Sequence, residues 1–369
     1  MTVNYRINLF GFPGAPGETQ NLGLRDQRAA VKWVRDNIAQ FGGDATRIVL
    51  AGQSSGGVAV DYWAYAYEHD PIAAGLILVS GNAFSFPLNS PSIPEKNWNT
   101  VVDAVGCNKT TTSTDQTAIM ACMRATPWTD LKAAAATIKP LPSTSILRSI
   151  PAFYPQADET LVFTDYLART HAGRFARRLP ILAGSNANEA GWYRIAAFGN
   201  GVVPTPAQVT AMHLESFICP AAHQASARRA HGTPAWVYRY HGDWANTRLY
   251  AGSGAYHGVD LHMVFGGSGE VSGLPVREAE QRALTEVMQR AWYAFASDPW
   301  SGLQRDLGWP RWGSRRESLV ELGGVGNSSE VRFVDLGMDD AACRTVTMGA
   351  LGTPTPTSAA AATVAPTGV

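Results

Sequence analysis

The sequence has little charge for its length. Only 16% of its 369 residues are Asp, Glu, Lys or Arg, 30 acidic balance 30 basic, and no basic stripe stands out. That removes the electrostatic footprint expected of a nucleic-acid partner. No run of 18 or more apolar residues occurs, so nothing reads as a membrane span. The first ten residues, Met1 to Phe10, carry no basic n-region, apolar h-region or cleavage site of a signal peptide. No internal repeat is visible. The four cysteines, at 107, 122, 219 and 343, match no zinc spacing and form no C-x-x-C pair. No metal or organic cofactor is implied. What remains is a composition 45% hydrophobic with 36 Gly and 22 Pro, suited to a globular chain with a large core. The length accommodates one large domain or two ordinary ones.

The most informative stretch is Gly52-Gln53-Ser54-Ser55-Gly56. It follows the apolar run Ile48-Val49-Leu50-Ala51 and precedes a helical pattern over 58–67. A strand that turns sharply and leaves as a helix lifts the central Ser above the sheet edge with its hydroxyl exposed. The flanking glycines let strand and helix approach without a clash of Cβ atoms. A bare G-x-S-x-G arises by chance in a glycine-rich chain; the strand before it and the helix after it give it weight.

Around this turn the chain reads as strands alternating with helices. Residues 2–10 have strand character, and a helix is expected over 24–41. Its apolar face is Ala29, Ala30, Trp33, Val34, Asn37 and Ile38, with Arg25, Arg28, Lys32 and Asp36 largely opposite. Buried strands are expected at 47–52, 75–80, 179–184 and 236–240, a long helix at 276–295 and an extended segment at 331–334. Such alternation predicts an α/β fold with a mostly parallel sheet covered on both faces. Residues 87–174 depart from it, with Pro-rich loops and short helices at 98–105, 117–124 and 129–138. The whole of 1–350 reads as a single domain, and 351–369 as a Thr/Pro/Ala-rich tail unable to bury enough apolar surface to fold.

A serine near neutral pH is a poor nucleophile, so a base must take its proton and a carboxylate must orient that base. Spacing alone does not choose among His213, His223, His241, His257 and His262. Glu189 competes with Asp158 and Glu159 but follows an expected sheet strand. Asp26 and Asp44 suit helix caps or arginine partners. The cysteines have two readings at this point, buried thiols of a cytosolic protein or two disulfides of an exported one.

Several stretches together resemble the type-B carboxylesterases, the cholinesterase-like branch of the α/β-hydrolases. They are Asn4-Tyr5-Arg6 with Phe10-Gly11-Phe12, Asn21 to Gln27, Phe41-Gly42-Gly43-Asp44, and the Ser54 turn. The similarity resumes at Gly184 to Gly191 and at Tyr256-His257-Gly258-Val259-Asp260, ending near Phe265-Gly266. The segment Gly11 to Gly17, rich in Pro and Gly, looks most like fungal members. The resemblance implies Ser54 as nucleophile, Glu189 as orienting acid and His257 as general base, in the α/β-hydrolase order Ser, Glu, His. It implies the backbone N–H of Ser55 in an oxyanion hole, and Asp260 and Asn82 hydrogen-bonded behind the histidine where relatives carry Glu and Ser. It implies disulfides Cys107–Cys122 and Cys219–Cys343 and secretion of the complete protein, with which the glycosylation sequons at Asn108 and Asn327 agree. The substrate would be a small-molecule or lipid ester, with 87–174, Trp192, Tyr193 and Phe198 as candidate pocket walls.

Relatives also carry a His-Gly-Gly-Gly loop before the Asn-Tyr-Arg segment, which this sequence does not contain. In the family's strand order, 2–10 would be the fourth strand and 47–52 the fifth, with the third between them. The expectation is therefore an N-terminally truncated α/β-hydrolase lacking that central strand. It would be a serine carboxylic-ester hydrolase, with two alternatives: an inactive fragment of one, or a non-catalytic cholinesterase-like binding protein.

Overall fold

The computed structural model describes residues 1–89, 92–108, 115–142, 145, 147–267, 279–324, 326–335 and 337–351. These fall into two compact units. One comprises 1–41, 88–143 and 149–164; the other comprises 42–87, 144–148 and the chain from Asp165 onward. Residues 352–369 of the Thr/Pro/Ala tail and positions 276–278 of the expected long helix lie outside the described residues.

The second unit is built on a sheet of six strands, adjacent in chain order: β1 (Val49–Gln53), β2 (Gly75–Val79), β3 (Ile181–Asn186), β4 (Ala235–Tyr240), β5 (Glu317–Leu322) and β6 (Val331–Asp335). β1 to β5 are parallel, and β6 returns antiparallel along β5. Every residue of β2 and β3 is buried, as continuous apolar strands must be when helices cover both faces. The two-residue alternation of a strand divides them. Ile77, Val79, Leu182, Trp236 and Tyr238 meet Leu284, Met288 and Phe295 of the helix Ala279–Ser297 on one side. Leu76, Leu78, Ile181, Ala183 and Val237 meet Ala64 and Ala225 on the other. The β5 strand is not among those expected from the sequence: Glu317 and Glu321 stand beside its apolar Leu319, Val320 and Leu322 and break up the run.

Residues 2–10 are not a strand. Asn8–Gly11 is a single helical turn, entered by Asn8 at φ 53°. The reason is pairing: a strand exists only through a neighbour's backbone. Here the Arg6 N–H instead donates to the Asp26 carboxylate at 3.0 Å, and the Gly11 and Phe12 N–H groups donate to Ile7 and Asn8 carbonyls. The following helix, Leu22–Asn37, continues as a 3-10 turn, Ile38–Phe41. Its buried stripe is Leu24, Arg28 and Val31; the expected face is not buried, for Trp33 is 48% exposed. The remainder of this unit packs Ser92–Ala104, Gln116–Ala125 and Trp128–Ala136 around Trp98, Val101, Met123 and Leu131.

Each unit contains one disulfide, Cys107–Cys122 in the first and Cys219–Cys343 in the second. No described helix is long and apolar enough to cross a membrane. The Asn327 amide nitrogen, where a glycan would attach, donates to the Asp243 carbonyl at 2.7 Å.

Candidate active site

Parallel strands present their carboxyl ends at one edge, and the registers Gln53 with Val79 and Val79 with Gly184 align those ends. Ser54 follows β1 directly, Ser80 follows β2, and Glu189 follows β3 after a short turn. The Ser54 N–H donates to the Val79 carbonyl and the Ser80 N–H to the Gly184 carbonyl, both at 2.8 Å, extending the ladder one residue past each strand.

Ser54 has φ 57° and ψ −122°, a backbone conformation that L-residues avoid, and the helix Ser55–Ala66 starts immediately after it. Two glycines make the turn possible. A Cβ on Gly52 would stand 2.2 Å from the Gly56 carbonyl oxygen, and one on Gly81 would stand 2.3 Å from that of Ser54. The Ser55 N–H, at the first position of the helix, has no intrahelical acceptor and points with the positive end of the helix dipole.

Glu189 is fully buried. Its Oε2 lies 2.5 Å from His257 Nδ1, while its Oε1 accepts from the Ser80 hydroxyl at 2.7 Å and the Asn186 N–H at 2.6 Å. Burial pushes this carboxyl up, but the adjoining imidazole and the hydrogen bonds from His257 and Asn186 prevail, holding it below the ordinary glutamate range. The ionised carboxylate fixes the proton of His257 on Nδ1 and leaves the Nε2 lone pair outward.

That lone pair faces two donors. The Gln53 amide nitrogen is 3.0 Å from Nε2, and the Tyr193 hydroxyl 3.4 Å. No hydrogen bond joins His257 to Ser54 among the described residues. Phe217 packs against the imidazole with ring centroids 5.4 Å apart. It is carried by the π-helical turn Leu214–Ile218, a distortion common at functional sites.

The structure separates the two residues expected behind the histidine. Asp260 is buried and accepts from Tyr238 Oη at 2.8 Å and Asn186 Nδ2 at 3.1 Å. Asn186 thereby joins Asp260 to Glu189, holding one carboxylate with its side chain and the other with its backbone. Burial raises the Asp260 carboxyl to about 6. Asn82 does not reach Glu189 or His257. Its side chain accepts from the Phe84 N–H at 2.9 Å and its own N–H donates to Ser85 Oγ, closing a local turn. The hydroxyl that reaches Glu189 is Ser80, two residues earlier.

Of the other candidates, His213 lies beside the site, its ring 6.4 Å from that of Phe217, and the following have separate surroundings. Asp26 is bidentate with Arg6, and Asp44 accepts from Thr46 and Arg47 and is held down to about 2. Asp158 is occupied by the N–H groups of Thr160, Leu161 and Val162. His241 lies 3.4 Å from Glu321, and burial beside His171 pushes His223 down to about 4. Trp192 and Phe198 are 50% and 44% exposed, whereas Tyr193 turns inward to His257. Among the described residues no group of three His, Cys, Asp or Glu could hold a metal ion. Ser80, Asn186 and Gln53 have no signal of their own in the sequence. Tyr193 has one, its place four residues after Glu189, one helical turn away.

A sequence profile described as the carboxylesterase family matches residues 1–211. A protein named secreted lipase 5, from Gibberella zeae, is 34% identical over 345 residues, covering 87% of this chain and 61% of its own length. A chlorogenic acid esterase from Aspergillus niger is 34% identical over 302 residues, covering 81% of this chain and 55% of its own. Lipase 2 of Geotrichum candidum is 29% identical over 200 residues. The chain thus spans 61% and 55% of the length of the first two of these curated relatives.

Proposed function

The chain belongs to the carboxylesterase family, and from that premise we propose that it is a serine carboxylic-ester hydrolase with Ser54 as nucleophile, His257 as general base and Glu189 as orienting acid. Its mostly parallel, helix-covered sheet is the α/β-hydrolase fold of that family. The observation that carries the reading is the 2.5 Å contact between His257 Nδ1 and the buried Glu189 carboxylate, beside a serine held at φ 57°.

The Ser54 oxygen attacks the ester carbonyl as its proton passes to His257. Glu189 keeps Nδ1 protonated and balances the imidazolium that results. The Ser55 N–H donates to the developing oxyanion, and such a donor is typically worth about a hundred- to a thousandfold in turnover. The imidazolium then protonates the leaving alcohol, and water repeats the sequence on the acyl-enzyme. The substrate class is a small-molecule or lipid ester. Two disulfides suit an oxidising compartment, so secretion is part of the proposal.

A second reading, an ester-binding protein without turnover, draws on one observation. The Nε2 lone pair of His257 is engaged by Gln53 and Tyr193, not by Ser54. Hydrolysis of p-nitrophenyl butyrate by the purified chain and by Ser54→Ala separates the two. Turnover with a stoichiometric burst in the first and none in the second is expected. Equal rates in both would remove the serine from the mechanism.

A further inference from the structure

The Arg148 guanidinium and the Phe217 ring belong to one closed set of contacts, and we propose that Arg148 is a positioning residue for catalysis, holding Phe217 against the His257 imidazole. This rests on the serine-hydrolase reading above and adds to it a residue that acts through another side chain. Arg148 Nη1 donates to the Ser216 hydroxyl at 2.7 Å and to the Ser85 carbonyl at 3.1 Å. Its Nη2 lies 3.6 Å from the Glu215 carboxylate. The guanidinium carbon stands over the Phe86 ring, 4.8 Å from its centroid. One side chain thus grips the two residues that immediately precede Phe217 and, with them, Ser85 and Phe86 of the segment that follows β2. The circuit closes through the rings. Phe86 meets Phe217 edge-on with centroids 6.1 Å apart, and Phe217 meets His257 at 5.4 Å.

Arginine suits this place. A planar guanidinium with several N–H donors can serve a hydroxyl, a carbonyl and a carboxylate together while its face lies on a ring, which a compact ammonium cannot do. The Arg148 side chain is only 8% exposed, and Ser216 is fully buried. Out of water, such contacts are strong and costly to break, so they fix the groups they join. The turn they fix is an unusual one. Leu214–Ile218 is π-helical between the α-helices Pro206–His213 and Cys219–Ala230, and π-helical turns are rare. The direction of the Phe217 ring depends on that local winding, which is held at Glu215 and Ser216.

The link to catalysis runs through the tilt of the imidazole. Glu189 holds the ring at Nδ1, and a single hydrogen bond at one atom leaves the plane free to rock about it. Phe217 supplies a contact against the ring itself. During acylation Nε2 must stand within hydrogen-bond reach of the attacking hydroxyl, so the orientation of the ring enters the rate. A change at Arg148 that lets Phe217 drift should therefore slow the chemical step and leave substrate binding nearly untouched.

Arg148→Met tests this, since it keeps an apolar stem and deletes the guanidinium. The burst phase of p-nitrophenyl butyrate acylation is measured, with KM, for Arg148→Met, for Phe217→Ala and for the double variant. Arg148→Met should acylate about ten- to a hundredfold more slowly, the cost of a displacement approaching 1 Å near the reacting groups, with KM little changed. In the Phe217→Ala background the same substitution should cost almost nothing more, a coupling that independent sites do not show. In the free protein, the Cε1 proton of His257 should shift in Arg148→Met as the ring current of Phe217 moves off it. Should Arg148→Met lose its near-ultraviolet circular dichroism, the cycle is run with Ser216→Ala, which removes one hydrogen bond and leaves the charges paired; the loss should then be smaller and equally absent beside Phe217→Ala. An unchanged burst rate, losses that add in the double variant, or an unmoved His257 proton overturns the proposal. If the unaltered chain acylates no faster than Ser54→Ala, the serine-hydrolase reading itself fails and the catalytic role of Arg148 with it.

Discussion

Glu189 and Tyr193, one helical turn apart, contact opposite nitrogens of the same imidazole: Glu189 Oε2 lies 2.5 Å from His257 Nδ1, and Tyr193 Oη 3.4 Å from Nε2. The tautomer and tilt of His257 are thereby set from a single rigid element at the end of β3. Groups that hold this helix start, Ser80 and Asn186 above all, consequently act on the His257 imidazole without touching it. Substitutions there, and in the packing around the turn, should be felt at the imidazole.

Ser80→Ala should destabilise the protein in a pH-dependent way. A hydrogen bond to an ionised carboxylate contributes about 1.5–3 kcal/mol, and Ser80 donates one to Glu189. The native pKa of Glu189 is depressed below 4.5, so the stability it contributes is present above that value and lost as pH falls through the native pKa. The Tm deficit of Ser80→Ala should be full at pH 7 and shrink in acid. Asn82→Ala breaks only bonds within its own turn, and its deficit should not vary with pH. Thermal melts of both variants from pH 7 to pH 3 decide the matter.

Asp260→Asn should behave in the opposite sense. Burial raises this carboxyl from 3.8 to about 6, so the native state holds the proton more tightly than the unfolded chain. The cost of ionising it is absent below 3.8, grows between 3.8 and 6 and is complete above 6. It amounts to about 3 kcal/mol at the conversion of 1.36 kcal/mol per pKa unit. Relative to the unaltered chain, Asp260→Asn should gain stability as pH rises from 4 to 8. Chemical denaturation at the two pH values measures the gain; a difference that does not change with pH would show that this carboxyl is not the titrating group.

Gly81→Ala should impair catalysis more than folding. Its Cβ would meet the Ser54 carbonyl at 2.3 Å, and since that atom is backbone, the turn bearing Ser54 must move. A misplacement of about 1 Å at a reacting group costs on the order of a hundredfold. The burst rate with p-nitrophenyl butyrate should drop by that order while the far-ultraviolet circular dichroism persists.

The two disulfides should differ in worth. They close separations of 15 and 124 residues, for which the chain-entropy relation gives about 3 and about 5 kcal/mol. The Cys219→Ala, Cys343→Ala pair should therefore lower the unfolding free energy more than the Cys107→Ala, Cys122→Ala pair. Urea denaturation of the two double variants gives the ranking directly.

Much of this architecture is legible in the amino-acid order, and the legible parts share a cause. The strands at 75–80 and 179–184 declare themselves as short apolar runs, and the Ser54 turn as glycine spacing between a strand and a helix. Both signals are local: they depend on residues within one element or one turn. The contexts of Glu189 and His257 come from motifs, and the structure brings the two side chains to hydrogen-bonding distance. Pattern misleads where the outcome depends on a second segment. Residues 2–10 have strand composition but no strand partner among the described residues, so their backbone bonds close locally and onto Asp26. The helix Leu22–Asn37 shows a plausible apolar face, yet which face is buried depends on what packs against it.

By itself, then, the sequence determined the family, the alternation of strands and helices, and the short list of chemical groups, because patterning and turn chemistry are written in consecutive residues. Tertiary structure alone decided that Ser80 and not Asn82 reaches Glu189, that Asn186 bridges Glu189 and Asp260, and that Gln53 and Tyr193 meet the imidazole lone pair. Those choices are made by distances of a few ångströms between side chains from separate strands and loops. No periodicity along a chain encodes them, since strand register and helix placement set which atoms finally meet.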